Sequence, residues 1–339
     1  MLHVSRGRRH AAPTRSLVRF SRTSQRTHYA AVFNDIMRTK RIPVEWRETV
    51  IYTLHKSGDP SRCSNYRPIS LLSVPYKLFA GLLTKRLSRL AEEAGLFLDV
   101  QGGFRKGRSC IDKITLLTGC IRENKKGGHQ THCVFVDVKK AYDSVPHDTL
   151  FRTLQRHGID EDFLSLLEAL YTGNYARVIT SYGMSDPFPL NRGVKQGCPM
   201  SPVIFNLFIE PLLEWLVDNA ASDGEAQLAF ADDIALITRD HGALQRLVSM
   251  LDEFFYANCL ELGVAADKSA YMTSDASNDI WVSKVTPKRE GGVTRLTRVA
   301  QCVRLPKLTG LETYKYLGVH VNVKLNWDRH VGYCSNKLR

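Results

Sequence analysis

The stretch Leu228-Ala-Phe-Ala-Asp-Asp-Ile-Ala-Leu-Ile237 decides how the rest of the chain is read. Two short apolar runs, 228–230 and 234–237, flank Ala231-Asp232-Asp233, the pattern of a β-hairpin whose turn carries two carboxylates. An acidic turn is ordinary by itself, because Asp readily bonds its own backbone in turns. It gains meaning from residues 132–138, His-Cys-Val-Phe-Val-Asp-Val, which read as a buried strand with an acid, Asp137, at its end. A sheet that sets these strands side by side gathers three carboxylates. Like charges that close raise one another's pKa, and a divalent cation is the usual means of keeping all of them ionised. Oxygen-only ligands suit Mg²⁺. Neighbours on an extended strand face opposite ways, so Asp232 and Asp233 converge only if the chain bends between them. Asp137 and Asp232 are therefore expected as the main metal ligands, with Asp233 in support.

Outward from this core, apolar spacing predicts helices over 29–41, 74–94, 111–122, 147–157, 161–171, 202–220 and 242–260. Residues 49–54 read as a strand, 57–65 as a loop and 176–189 as a hairpin. The last eighty residues are strand-rich and turn-rich, with Gly291-Gly292 as a hairpin turn. Strands and helices that mix without strict alternation point to an α+β fold.

Composition narrows the class. Of 339 residues, 43% are hydrophobic and 24% charged, the balance of a globular protein with a real core. The net charge of +13 points towards polyanions, since phosphate neutralisation releases counterions. The eight cysteines have no close spacing, so they make no zinc knuckle and read as reduced thiols of an intracellular protein. The apolar run 203–217 is short and holds Glu210 and Glu214, so no membrane partner is expected. The first thirty residues carry seven arginines and no acid. A basic disordered arm or linker over 1–28 is favoured above an organellar transit peptide, with a nuclear or cytoplasmic setting expected.

The motifs together resemble one family, the reverse transcriptases, in the LINE-type branch of non-LTR retrotransposons, over about residues 41–319. Phe230-Ala-Asp-Asp233 resembles the family's paired-aspartate motif, and Phe135-Val-Asp-Val-Lys-Lys-Ala-Tyr-Asp143 its first metal motif. Between them, Arg192-Gly-Val-Lys-Gln-Gly-Cys-Pro-Met-Ser-Pro202 is similar to the segment that leads into a helix beneath template and nucleotide. Lys56-Ser-Gly-Asp59, Asn65-Tyr-Arg-Pro-Ile-Ser70 and Gln101-Gly-Gly-Phe-Arg-Lys-Gly-Arg-Ser109 resemble its fingers motifs. Residues 263–268 resemble the motif with a lysine near the leaving pyrophosphate, and Tyr314-Lys-Tyr-Leu-Gly318 the primer grip. Where the family commonly has Asn two or three places before that lysine, this chain has Val264-Ala-Ala-Asp267.

The resemblance implies a right-hand polymerase fold with fingers and palm and the thumb largely absent. On that basis 29–130 are fingers, 131–146 palm with the first metal motif, 147–191 a fingers and palm connection, 192–321 palm with the paired-aspartate hairpin and primer grip, and 322–339 the start of a truncated thumb. It implies an RNA-directed DNA polymerase, a nucleotidyltransferase that adds deoxynucleotides to a primer 3′-hydroxyl on an RNA template. Two Mg²⁺ ions, with Mn²⁺ as substitute, would be held by Asp137, Asp232, Asp233 and the backbone carbonyl of Val138. Lys268 would assist catalysis. Lys56, Arg67, Arg105, Tyr142 and Gln196 would bind the nucleotide, Tyr142 as the bulky gate that rejects a 2′-hydroxyl. Gly193, Gly197, Tyr316, Leu317 and Gly318 would meet template or primer. The competing reading is a catalytically inactive or incomplete retrotransposon-derived remnant that binds nucleic acid. Oligomeric state, host and target site are not encoded in any of these motifs.

Overall fold

A computed structural model describes residues 24–56, 58–180, 182–220, 225–265, 268–275, 278–290 and 293–338. In chain order the elements are α1 (Ser24–Thr39), β1 (Glu48–His55), β2 (Tyr66–Leu71), α2 (Val74–Glu93), α3 (Cys110–Lys126), β3 (His132–Val136), α4 (Ala141–Ser144), α5 (His147–Arg156) and α6 (Glu161–Tyr171). There follow β4 (Tyr175–Thr180), β5 (Gly183–Met184), β6 (Phe188–Pro189), α7 (Ser201–Asp218), β7 (Ala226–Phe230), β8 (Asp233–Thr238), α8 (His241–Ala257) and β9 (Ala270–Thr273). Last come β10 (Trp281–Glu290), β11 (Val293–Arg304), β12 (Lys307–Thr309), β13 (Tyr314–Tyr316), β14 (Val319–Val321) and α9 (Asp328–Leu338). This is the α+β mixture expected. α1 opens at Ser24, so residues 24–28, assigned above to a disordered arm, are helical, while 1–23 lie outside the described residues. Gly291-Gly292 and Asp267 lie outside them too; β10 and β11 pair antiparallel on either side of the two glycines. Among the described residues no helix is long and apolar enough to cross a membrane.

Contacts divide the chain into two compact units. One takes the described residues up to Leu96 together with Pro146–Phe208; the other takes Phe97–Val145 and the described residues from Ile209 on. These boundaries depart from the sequence-based division, which set 97–130 with the fingers and 192–208 with the palm. The physical reason for the first departure is a backbone pairing: Gly102 N–H donates to the Ala229 carbonyl and Ala229 N–H to that of Val100, both at 2.8 Å. For the second, Ser70 N–H on β2 donates to the Gln196 carbonyl at 2.8 Å.

In the first unit the strand order is β2-β1-β4-β5, with β6 also on β4. β1 pairs antiparallel with β2 and parallel with β4. β2 falls between the predicted loop and the predicted helix, where no element was expected. Pro68 argues against an inner strand because it cannot donate, yet β2 is an edge strand, where that loss is tolerated. The core is aromatic: Phe33, Trp46, Tyr76 and Phe79 meet with ring centroids 5.2 to 6.3 Å apart. α2 starts because the Ser73 side chain accepts from Tyr76 N–H and Pro75 sits in the first turn, where its missing donor costs nothing.

The loop ahead of α7 is pressed onto β2. Gly197 has φ +119°, and a Cβ there would lie 2.9 Å from the Ser70 carbonyl oxygen, so only glycine fits. Beside it Lys195 is 6% exposed, with its ammonium 4.9 Å from the centre of the Tyr76 ring. Burial depresses the Lys195 pKa from 10.5 to about 8. The unfolded chain then binds more protons than the folded one in that window, so this group makes stability rise with pH there. The wild type should gain stability relative to Lys195→Met between about pH 8 and 10.5. Denaturant melts of both proteins from pH 7 upward test this, and a flat difference would refute it.

In the second unit the strand order is β12-β9-β3-β8-β7, with β3 central and all five of its residues buried. Cys133 and Phe135 face a cluster with Leu117 and Ile121 of α3 and with Tyr314 and Tyr316 of β13. Phe135 stacks on Tyr314 with ring centroids 4.3 Å apart and planes at 9°. α8 packs on β3 and β8, its first residue, His241, meeting His132 of β3. β13 and β14 join through Leu317 at φ +46° and Gly318 at φ +88°, the two positive values that a tight type I′ hairpin turn requires.

Candidate active site

Register brings the acids together. β3 and β8 run antiparallel with Val136 opposite Ile234, so the next residue of β3, Asp137, arrives beside Asp233. β7 and β8 close at Phe230 opposite Asp233, which leaves Ala231 and Asp232 as the two-residue turn. Ala231 has φ +59°, a left-handed conformation that costs an L residue about 1–2 kcal/mol. This is the bend that lets neighbouring aspartates converge.

Electrostatics bear out the closeness. Burial raises the Asp232 pKa, its backbone hydrogen bond works against that, and the charge of Asp137 raises it further. Burial, then Asp232 and Asp137, push Asp233 up to about 7. Lys268 opposes both shifts, its ammonium lying 3.4 Å from Asp137 Oδ1. Asp137 is further fixed by its N–H, which donates to Ser269 Oγ at 3.1 Å, and its carbonyl, which accepts from Gly263 N–H at 3.0 Å. Val138 is 2% exposed and bridges to Leu262.

The donor set fits divalent cations of the hard, oxygen-seeking kind. Three carboxylates that resist joint ionisation gain most from a cation, and all three are only partly covered. Among the described residues no three His, Cys, Asp or Glu side chains form a ready-made cage. Mg²⁺ needs none, because it keeps waters and shares substrate oxygens.

Two tyrosines border the acids. Burial, then the charge of Asp232, raise the Tyr142 pKa, so its phenol stays neutral beside the turn. Tyr316 is 2% exposed; burial, then Asp233, raise its pKa, and its hydroxyl has no hydrogen-bond partner among the described residues. Tyr316 thus faces inward, and Leu317 and Gly318 form the more open part of that hairpin. Tyr314 Oη donates to the Lys268 carbonyl at 2.7 Å, which ties the hairpin to the lysine. Arg105 is engaged locally, its guanidinium donating to the carbonyls of Leu98 at 2.6 Å and Gln101 at 3.0 Å.

The remaining sequence-predicted residues, Lys56, Arg67, Gly193, Gln196 and Gly197, belong to the first unit. Arg67 is exposed on β2 opposite Leu54, and Lys56 is exposed just beyond β1. Gly193 has φ +86°, and its carbonyl lies 2.8 Å from His147 Nε2. The predicted residues therefore fall into two groups, each gathered within its own unit.

A family model described as reverse transcriptase (RNA-dependent DNA polymerase) matches residues 54–321. The chain belongs to the reverse transcriptase family. Its curated relatives are retrotransposon proteins of the non-LTR kind. It is 27% identical over 318 residues to a probable RNA-directed DNA polymerase from transposon BS of Drosophila melanogaster, covering 90% of this chain and 32% of that protein. To the Pol polyprotein of retrotransposable element R2 of Popillia japonica it is 28% identical over 284 residues, 82% of this chain and 38% of the other. This reverse transcriptase domain thus spans only about a third of the length of those two relatives. Among solved structures it resembles telomerase of Candida tropicalis in complex with a fragment of telomeric RNA, at TM-score 0.55 and 12% identity over 88% of this chain and 48% of that one. The apo form of that telomerase, truncated from its C-terminal domain, gives 0.52 and 12% over 82% and 58%. The fold is that of a right-hand polymerase.

Sequence reasoning missed residues that support the turn by backbone contact. Gln101 is fully buried, and its Oε1 accepts from Ala231 N–H and Gly103 N–H, each at 2.8 Å. A Cβ on Gly103 would lie 2.3 Å from the Ala231 nitrogen, and one on Gly263 3.2 Å from Asp137 Oδ2. The only signal was the Gly-Gly pair after Gln101, which says that backbone comes close without saying to what. Gly103→Ala should destabilise the second unit by about 1–3 kcal/mol, the usual cost of forced overpacking. Gly119→Ala, in helix α3 with nothing within 4 Å of the added carbon, should be neutral or stabilising by up to about 1 kcal/mol. Urea unfolding of the two variants compares them, and equal midpoints would contradict the close approach.

Proposed function

We propose that this chain is the nucleotide-adding part of an RNA-directed DNA polymerase, extending the 3′-hydroxyl of a DNA primer with deoxynucleotides copied from an RNA template. The observation that carries the reading is the convergence of Asp137, Asp232 and Asp233 at one sheet edge, with Lys268 beside the first and Tyr142 beside the second. Two Mg²⁺ ions held by these acids and the Val138 carbonyl would supply the charge neutralisation that in-line displacement at the α-phosphate requires.

The chain's own residues do the rest by position and charge. Lys268, with its side chain 45% exposed, can follow negative charge from Asp137 to a departing pyrophosphate. The Tyr142 ring takes the space beneath a sugar, where a 2′-hydroxyl would clash. Arg67, Lys56 and Gln196 offer donors to triphosphate and base, Arg67 best, since a planar guanidinium matches phosphate oxygens two at a time. Arg105 holds its own loop, and its share in binding the nucleotide is secondary. Leu317-Gly318, with Gly193 and Gly197, lets backbone approach primer and template. The net charge of +13 suits a nucleic-acid duplex as partner.

Primer extension on an RNA template with Mg²⁺ tests this. The wild type should add deoxynucleotides, and Asp232→Asn should cut the rate by about a hundredfold or more. Undiminished extension by Asp232→Asn would exclude these acids as the site; failure of the wild type, also when joined to further sequence of its relatives, would favour the remnant. Tyr142→Ala should lower the preference for deoxy- over ribonucleotides by about tenfold or more in single-turnover competition. An unchanged ratio would remove the gate.

A further inference from the structure

Ala231 is the weak point of the acid turn. A non-glycine residue between Phe230 and Asp232 holds φ +59°, although alanine relaxes readily to negative φ, and any such relaxation swings the backbone that carries Asp232. Something must hold it. Its N–H donates to Gln101 Oε1 at 2.8 Å, and its carbonyl lies 3.4 Å from Gln101 Nε2. One buried carboxamide therefore grips both polar groups of the strained residue.

The grip is itself braced. Gln101 Oε1 also accepts from Gly103 N–H, so the side chain cannot rotate without giving up two bonds. The backbone around it pairs with β7 through Gly102 and Val100. From behind, Arg105 binds the carbonyls of Leu98 and Gln101, and buried Lys113 donates to the Asp99 carbonyl at 2.8 Å. Such a cradle exceeds what satisfying one buried glutamine requires.

We propose that Gln101 is a positioning residue for the reaction: its carboxamide locks Ala231 in the left-handed conformation and so sets the place of Asp232. This rests on the polymerase reading above. Gln101 touches neither substrate nor metal ligand side chain in this account, and it acts through the turn.

The test uses Gln101→Met, which keeps length and apolar bulk but has no amide, in the full chain. Misplacement of a reacting group by about 1 Å costs about a hundredfold in rate. The variant should lose kcat for primer extension by about tenfold to a hundredfold, with KM for the deoxynucleotide within about twofold. Hydrogen exchange over residues 226–234 should quicken by about tenfold while exchange in α2 stays unchanged. Adding Ala231→Gly should recover part of the lost kcat, because glycine holds a positive φ without help. Unaltered kcat, or an equal loss in kcat and nucleotide binding with faster exchange throughout the second unit, overturns the proposal. If the wild type itself extends no primer, the polymerase reading fails, and the exchange comparison still decides whether Gln101 locks the turn.

Discussion

Mutual repulsion among three half-buried carboxylates is the constraint around which the second unit is organised. No fold gathers Asp137, Asp232 and Asp233 for the sake of stability, since burial and like charge raise the proton affinity of the last two. The surroundings are built to bear that cost. β3 is buried along its whole length, its register with β8 is fixed by side chains packed on both faces, and Phe135 stacks on Tyr314 directly behind the acid edge. Slipping that register by one residue would turn every side chain of β3 to the wrong face. The rigid part thus lies under the site, and the charged part lies at its rim.

Much of this was legible before any coordinates. Alternation and turn chemistry revealed the hairpin of β7 and β8, an apolar run revealed β3, and helical spacing located α2, α5, α6 and α8 to within a few residues. These are local signals, and local physics produces them. β2 escaped because Pro68 is a breaker everywhere except at an edge, and nothing local says that a strand will be an edge. The parallel pairing of β1 with β4 escaped because it joins segments far apart in the chain. The pairing of the segment around Gly102 with β7 escaped for the same reason.

The candidate site was legible to the extent that its residues are chemically conspicuous. Aspartates at strand ends, a lysine and a tyrosine at fixed intervals from them announce themselves. Gln101 does not, because its partners are amide groups of Ala231 and Gly103, and a backbone has no residue type to recognise. Tyr316 is the opposite case: an aromatic in a motif that resembles a primer contact is buried, its ring centroid 5.4 Å from that of Phe135. Motifs report which residues are present; burial decides which of their atoms can be reached.

The discontinuous make-up of the second unit bears on how the molecule is made. β3 emerges from the ribosome well before both of its hydrogen-bonding neighbours, β8 and β9, which are encoded after all of α5, α6 and β4 to β6. During that interval an apolar ribbon, His132–Val136, has both edges unpaired. Long-range pairing of this kind folds slowly and invites association with other chains. Synthesis of this protein should therefore depend on chaperones that shelter one five-residue strand, and slower translation would lengthen the hazard.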